Sequence, residues 1–380
     1  MTRLTWLCRT QLVFFGAIGA LALPPLHVVF MLVPAITGLI WILVRTDDRR
    51  CAFGVGWYFG LGQGLIGYYW VSNAFMVDAT EHGVLAPFAV LGLAGGLAMF
   101  PAATASIAWS VWRWCSPSPL ARILTFAGLW TASEWLRAGM LTGFPWNLVA
   151  TVWTFSPEVL QAAALLGPYG LGMITIAIAG LPALFLFGDN RRAAMIGLGV
   201  GLIVIVDIWI AGNLRLSAAS RLAVDGVRLR MVQPNIPQHL KWRSELRVDH
   251  VRQQMRLSDG PDAAGVLPTH VIWAETAVPY NLSGDYGLRQ MIASAVPVDG
   301  LLITGAPRTV MFERGVQRAY NSIHALDSSG QITATYDKRH LVPFGEYVPL
   351  RWLFGFSRLT AGRVDFHPGN TPQIPVLAGL

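Results

Sequence analysis

The sequence predicts a protein in two parts: an α-helical membrane domain over residues 1–213 and a layered α/β domain over 214–380. Three observations lead there. Residues 1–213 hold 18 charged side chains, whereas the 167 residues that follow hold 31. The first part is a series of apolar stretches parted by arginines, and after residue 227 the hydrophobic period shortens. The whole chain is 54% hydrophobic and only 13% charged, about half the roughly 25% charged share of soluble domains.

Seven apolar stretches can be read at 12–23, 26–44, 51–75, 83–111, 120–138, 160–187 and 193–212. Most reach the ~20 residues that cross a bilayer as a helix. The first is short, and Pro24 and Pro25 part it from the second. With the N-terminus in the cytoplasm, the inner loops carry Arg3, Arg9, Arg45, Arg49, Arg50, Arg113, Arg122, Arg191 and Arg192. The outer loops near Pro24, 76–82 and 139–159 carry no arginine or lysine. The positive-inside rule then orients about seven transmembrane helices so that the C-terminal part is delivered to the outer face, the periplasm in a diderm bacterium with this chain in its inner membrane. A cleaved signal peptide would also explain Arg3, Arg9 and the Ala20-Leu-Ala22 run. Six further apolar segments favour an uncleaved first helix.

GVGWYFGLGQGLIG (54–67) imitates a phosphate loop, but it lies in an apolar run. Gly56, Gly60 and Gly64, four apart, suit close helix contact instead. Glu134 and Asp207 fall within predicted spans, where they should face protein or water, lining a lipid path or making structural hydrogen bonds. The outer loop TGFPWNLVA (142–150) presents Phe144 and Trp146, rings suited to a membrane interface.

In the second part VRLRMVQ (227–233) alternates like a strand and 243–258 reads as an Arg-rich amphipathic helix. THVIWAE (269–275) is a strand with a carboxylate at its end. Further strands are expected at 301–306, 318–326 and 331–337, and a helix at 286–295. Alternating α and β segments predict a layered α/β domain.

Three places carry chemistry. Glu275 ends a strand in WAET. Lys338, one of two lysines against 26 arginines, sits near Glu346 in YDKRHLVPFGEYVP (336–349). An ammonium held beside carboxylates can meet a developing oxyanion, although such a cluster is also an ordinary surface ion pair. QPNIPQHLKW (233–242) could form a pocket rim through Trp242, or be a turn packed on a sheet. The eight histidines lack metal-ligand spacing, so no metal is expected. No G-x-S-x-G elbow marks a serine hydrolase. The net charge of +7 is scattered rather than clustered, pointing to anionic lipid headgroups and away from nucleic acid.

Together ALALPP (20–25), TGFPWN (142–147), QPNIPQHLKW, WAET, RAYNS (318–322) and KRHLVPFGEYVP (338–349) resemble the apolipoprotein N-acyltransferase family. WAET departs from that family's usual WPET. The resemblance implies a nitrilase-like αββα sandwich of the carbon-nitrogen hydrolase type, with a Glu-Lys-Cys triad and no cofactor. It makes Glu275 the general base, Lys338 the stabiliser of the tetrahedral intermediate and Glu346 a supporting carboxylate. Trp242, Phe144 and Trp146 are the expected substrate-binding residues. The partners are a phospholipid acyl donor and a lipoprotein acceptor, joined through a ping-pong thioester.

The thiol is the departure. Cys8, Cys51 and Cys115 are the chain's cysteines, and the loop charges put them at the cytoplasmic side, across the membrane from Glu275 and Lys338. In the family the nucleophile follows the lysine motif, and QIPVLAGL (373–380) stops short of it. One expectation is a truncated acyltransferase whose cysteine lies beyond residue 380. The other is a relative without the nucleophile, acting with a conjugation apparatus or in envelope assembly. A membrane-tethered amidase shares the same gap. Residues 1–380 alone are expected to be inactive in acyl transfer.

Overall fold

The computed structural model describes residues 4–76, 80, 83–187, 191–219, 223–311, 317–348 and 365–370; QIPVLAGL lies outside them. They fall into two compact units, Met1–Ser220 and Arg221–Leu380.

The first unit is helical: α1 (Trp6–Ala20), α2 (Leu32–Val44), α3 (Arg49–Gly67), α4 (Ala86–Leu97), α5 (Met99–Cys115), α6 (Pro119–Gly139), α7 (Ala163–Gly180) and α8 (Arg191–Ala218). Thr5, Asp48 and Ser118 cap α1, α3 and α6 by accepting backbone N–H bonds, which satisfies donors that a helix start leaves unpaired. Among the described residues three helical stretches are long and apolar enough to cross a membrane: Gly83–Cys115, Ala163–Leu186 and Arg191–Ala218. The 15 residues of α1 rise about 22 Å, less than the ~30 Å hydrocarbon core. Both α3 and α6 carry polar side chains among their apolar ones, so composition alone does not mark them as spans.

Between helices in lipid there is little hydrophobic drive, and close packing must hold them. The glycine stripe supplies it. A Cβ on Gly56 would lie 2.1 Å from the Pro101 carbonyl oxygen, and one on Gly64 would lie 2.8 Å from Ala94 Cβ. As the four-residue spacing predicts, α3 therefore lies directly against α4 and α5. Phe59, Ile36, Leu39, Phe126 and Ile123 fill the space around it. Asp207 stands exposed on α8. That helix runs through the boundary read at Asn213 to Ala218, because Leu214–Ala218 still favours helix after the apolar run ends.

The second unit carries one five-stranded sheet among the described residues, in the order β1 (Leu229–Met231), β2 (His270–Ile272), β3 (Leu301–Met311), β4 (Gln317–Leu326) and β5 (Ile332–Asp337). The first three strands are parallel neighbours, and the last three pair antiparallel. Helix α9 (Arg247–Ser258) connects β1 to β2 and α10 (Tyr286–Ala293) connects β2 to β3, since parallel neighbours need a crossover. Val251, Val271, Trp273, Leu282, Ile292, Leu302 and Leu326 form the core. Each fully buried Val or Leu there contributes about 1.5–3 kcal/mol. The β3–β4 hairpin extends five residues past the strand read at 301–306, and its far half carries the site.

Candidate functional site

Glu275 leaves the sheet just after β2. The Trp273 N–H donates to the Ile303 carbonyl at 2.8 Å, and Gly305 N–H donates to the Ala274 carbonyl at 3.3 Å. The chain then turns at Thr276, whose φ is 50°. This approach needs a glycine opposite: a Cβ on Gly305 would sit 2.3 Å from Thr276 N and 2.8 Å from Glu275 Cα.

Lys338 follows β5, and its N–H keeps the register by donating to the Asn321 carbonyl on β4 at 2.8 Å. Its carbonyl accepts from Gly369 N–H at 3.0 Å. Asp337, one residue earlier, is gripped by the Arg308 guanidinium from β3 through both carboxylate oxygens, and by Ser322 Oγ at 2.6 Å. Glu346 closes a tight loop: its Oε2 accepts from Val342 N–H at 2.7 Å, and its own N–H donates to the Val342 carbonyl at 2.9 Å.

These elements converge. Lys338 Nζ lies 3.1 Å from Glu275 Oε1 and 3.2 Å from Glu346 Oε1. Asn321 Nδ2 donates to the same two oxygens, at 2.6 Å each. The Glu275 side chain is 62% exposed, that of Lys338 33%, and that of Glu346 10%. Glu275 is thus at the open mouth and Glu346 on the floor. Glu275 Oε2 accepts no hydrogen bond among the described residues. A lysine has three N–H donors, and among the described residues Lys338 directs two of them, to Glu275 and Glu346.

Burial works against ionising Glu275, but the bonds from Asn321 and Lys338, with the charges of Lys338 and Lys241, outweigh it. The carboxyl stays below its ordinary pKa. Lys338 shows the mirror case: burial disfavours the ammonium, Glu275 and Glu346 overcome that, and its pKa is raised. Near neutral pH the pair is carboxylate and ammonium. The arrangement can take a proton at Glu275 and offer a fixed positive charge at Lys338.

Of the residues singled out from sequence, the structure brings Glu275, Lys338 and Glu346 together. Trp242 follows a short helical turn, Gln238–Lys241, and its carbonyl accepts from Arg247 at 3.3 Å. Phe144 and Trp146 belong to the helical unit, where Phe144 packs edge-on against Tyr68 and Trp146 lies beside Trp70. Cys8, Cys51 and Cys115 are free thiols of that same unit. Two contributors were missed. Asn321 sits in RAYNS, quoted for resemblance without a role. Lys241, the other lysine, donates from Nζ to the Glu275 carbonyl at 3.2 Å; its pKa is lowered by burial, with Glu275 opposing. The scarcity of lysine marks Lys241 as much as Lys338.

Comparison with known proteins gives a consistent result. Residues 15–181 match the model of the apolipoprotein N-acyltransferase N-terminal domain. The apolipoprotein N-acyltransferase of Rhodopseudomonas palustris is 36% identical over 391 residues, covering 96% of this chain and 71% of the relative. That of Allorhizobium ampelinum is 37% identical over 94% of this chain and 68% of its own length. That of Caulobacter vibrioides is 38% identical over the same shares, 94% and 68%.

Proposed function

The chain belongs to the apolipoprotein N-acyltransferase family, and we propose that residues 221–380 hold the acid–base and oxyanion half of that family's acyl-transfer site. The observation that carries this is the placement of Lys338 Nζ between Glu275 and Glu346, at 3.1 and 3.2 Å. In this reading the sheet belongs to a nitrilase-like sandwich, and the helical unit crosses a bacterial inner membrane about seven times with its N-terminus inside.

The reaction runs in two halves. Glu275 takes the proton of a cysteine thiol, and the thiolate attacks an ester carbonyl of a phospholipid. The oxyanion forms against the ammonium of Lys338. The ester C–O bond breaks, Glu275 returns its proton to the departing lysophospholipid, and a thioester remains. The α-amine of a lipoprotein's diacylglyceryl-cysteine then loses a proton to Glu275 and attacks the thioester; the C–S bond breaks, Glu275 returns that proton to the sulfur, and an amide and the free thiol remain. Trp242, Phe144 and Trp146 handle the acyl chain. Residues 221–380 hold no cysteine, so in this reading they supply the base and the oxyanion partner but not the thiol.

The test is N-acylation of a diacylglyceryl peptide by the full-length protein from its native membrane, with its intact mass measured alongside. Lys338→Met and Glu275→Gln should each lower kcat by about 10²–10³-fold or more. A full-length protein with folded Glu275 and Lys338 but no transfer would overturn the reading and favour a non-catalytic role in envelope assembly or conjugal transfer.

A further inference from the structure

The helical unit buries a pair of ionisable side chains. Glu134 and Arg137 are one helical turn apart on α6, only 6% and 7% exposed. Ionisable side chains inside a membrane protein are costly and are kept where they bond to something specific. Here both bond to one segment. Arg137 Nη1 donates to the carbonyls of Phe144 and Trp146 at 2.9 and 2.7 Å and lies 3.4 Å from the Tyr68 hydroxyl. Glu134 Oε1 accepts from Val149 N–H at 3.0 Å and from Trp130 Nε1 at 3.4 Å.

Backbone bonds also fold the segment back onto the end of α6, from Gly143 N–H to the Met140 carbonyl at 2.8 Å and from Phe144 N–H to the Arg137 carbonyl at 2.9 Å. It turns through left-handed backbone at Leu141, Gly143 and Asn147. Asn147 Nδ2 adds one bond, to the Gly67 carbonyl at 2.9 Å. Trp146 stays 51% exposed while its own carbonyl is anchored. Tyr68, Glu134, Arg137 and Asn147 also border a small cavity of about 40 Å³ beneath the loop.

We propose that Glu134 and Arg137 are positioning residues: together they clamp loop 141–149 so that Phe144 and Trp146 are presented in a fixed orientation to the acyl chain of the phospholipid donor. This rests on the reading of those two rings as substrate-binding residues. A residue that only held the unit together would affect folding; a clamp affects how well the donor binds.

The experiment measures KM and kcat for a phospholipid with a fluorescent acyl chain, using the full-length protein in its native membrane. Variants are Arg137→Ala, Arg137→Lys, Glu134→Ala, Glu134→Gln and Trp146→Ala. Arg137→Ala and Glu134→Ala should raise the donor KM about tenfold with kcat within about threefold, as lost ground-state binding does. They should also speed hydrogen exchange at the Val149 amide. Glu134→Gln keeps an acceptor for that amide and should restore KM to within about twofold, whereas Arg137→Lys, without the planar fork, should restore it only in part. If Trp146→Ala raises KM and the clamp variants do not, the clamp is overturned while the loop reading stands. If Trp146→Ala leaves KM unchanged, the loop reading fails and takes the clamp with it. Should the alanine variants not fold, equal KM values for Arg137→Lys, Glu134→Gln and the wild type overturn the proposal.

Discussion

Asn321 and Lys338 donate to the same two oxygens. Each reaches Glu275 Oε1 and Glu346 Oε1, the amide at 2.6 Å to both and the ammonium at 3.1 and 3.2 Å. Two carboxylates facing one another would repel, and one would protonate. With an ammonium and an amide between them, both can stay charged. Asn321 lies on β4, and Lys338 is joined to it by the bond from its N–H to the Asn321 carbonyl. One backbone contact therefore sets the spacing of both donors.

Replacing Asn321 by Asp keeps the shape and removes the amide donor, placing a third carboxylate against two. The neighbouring acids should protonate more readily. Acyl transfer near neutral pH should fall by at least about tenfold, given that a lost bond to a charged group costs about 1.5–3 kcal/mol. Activity of Asn321→Asp within threefold of the wild type, across pH 6–8, would show the amide to be dispensable.

The pH profile follows from two opposite shifts. The Glu275 pKa is lowered from 4.5 on folding, so its stabilising contribution is present above the unfolded value and is lost as pH falls through the folded one. The Lys338 pKa is raised from 10.5, so its contribution is complete below that value and is lost as pH rises through the folded one. Between those limits the pair stays ionised. Lys338→Met removes two of the interactions that lower the Glu275 pKa. The acid limb of residual kcat/KM should move to higher pH, and an unmoved limb would mean that Glu275 is not the titrating base.

Much of this arrangement was legible in the sequence, for reasons that can be named. That a strand leads toward Glu275 and another ends at Asp337 follows from β-branched and aromatic runs that stop at polar residues, although the ladder itself closes at Ile272, short of the strand read to 275. The stripe Gly56, Gly60, Gly64 announces close packing because 3.6 residues per turn puts those positions on one face. What stayed hidden depends on long-range pairing. Asn321 is one polar residue in a strand until the register opposes it to Pro307 and sets it beside Lys338. Nothing local says that Gly305 must meet the Glu275 backbone. Glu134 reads as an expensive carboxylate, and only the fold shows the Val149 amide that it serves.

Gly305→Ala tests the close approach at the base. The added Cβ would lie 2.3 Å from Thr276 N, a backbone atom that cannot swing aside as a side chain would. The turn carrying Glu275 must shift or the sheet must open. Stability should fall by about 1–3 kcal/mol, in the range of overpacked cores. Even at temperatures where the variant is folded, acyl transfer should drop at least about 10²-fold, since about 1 Å of misplacement has that effect. Unchanged activity would show that Glu275 need not be held so tightly.

Behind the site, His324 is fully buried on β4 with Nδ1 2.9 Å from Thr335 Oγ1. Burial, joined by the nearby Arg308 and opposed by Asp337, pushes its pKa down to about 4 from 6.5. The unfolded chain therefore binds a proton that the folded one refuses. The neutral imidazole contributes stability that is fully present above pH 6.5 and is lost as pH falls through about 4. At one pKa unit per 1.36 kcal/mol the loss amounts to about 3 kcal/mol at most. His324→Gln has nothing to protonate, so its stability should change less with pH in that window. Denaturation of wild type and variant at pH 7, 5.5 and 4.5 compares the two slopes. Parallel slopes would mean that His324 is protonated in the folded protein and that Arg308, held by Asp337, does not keep it neutral.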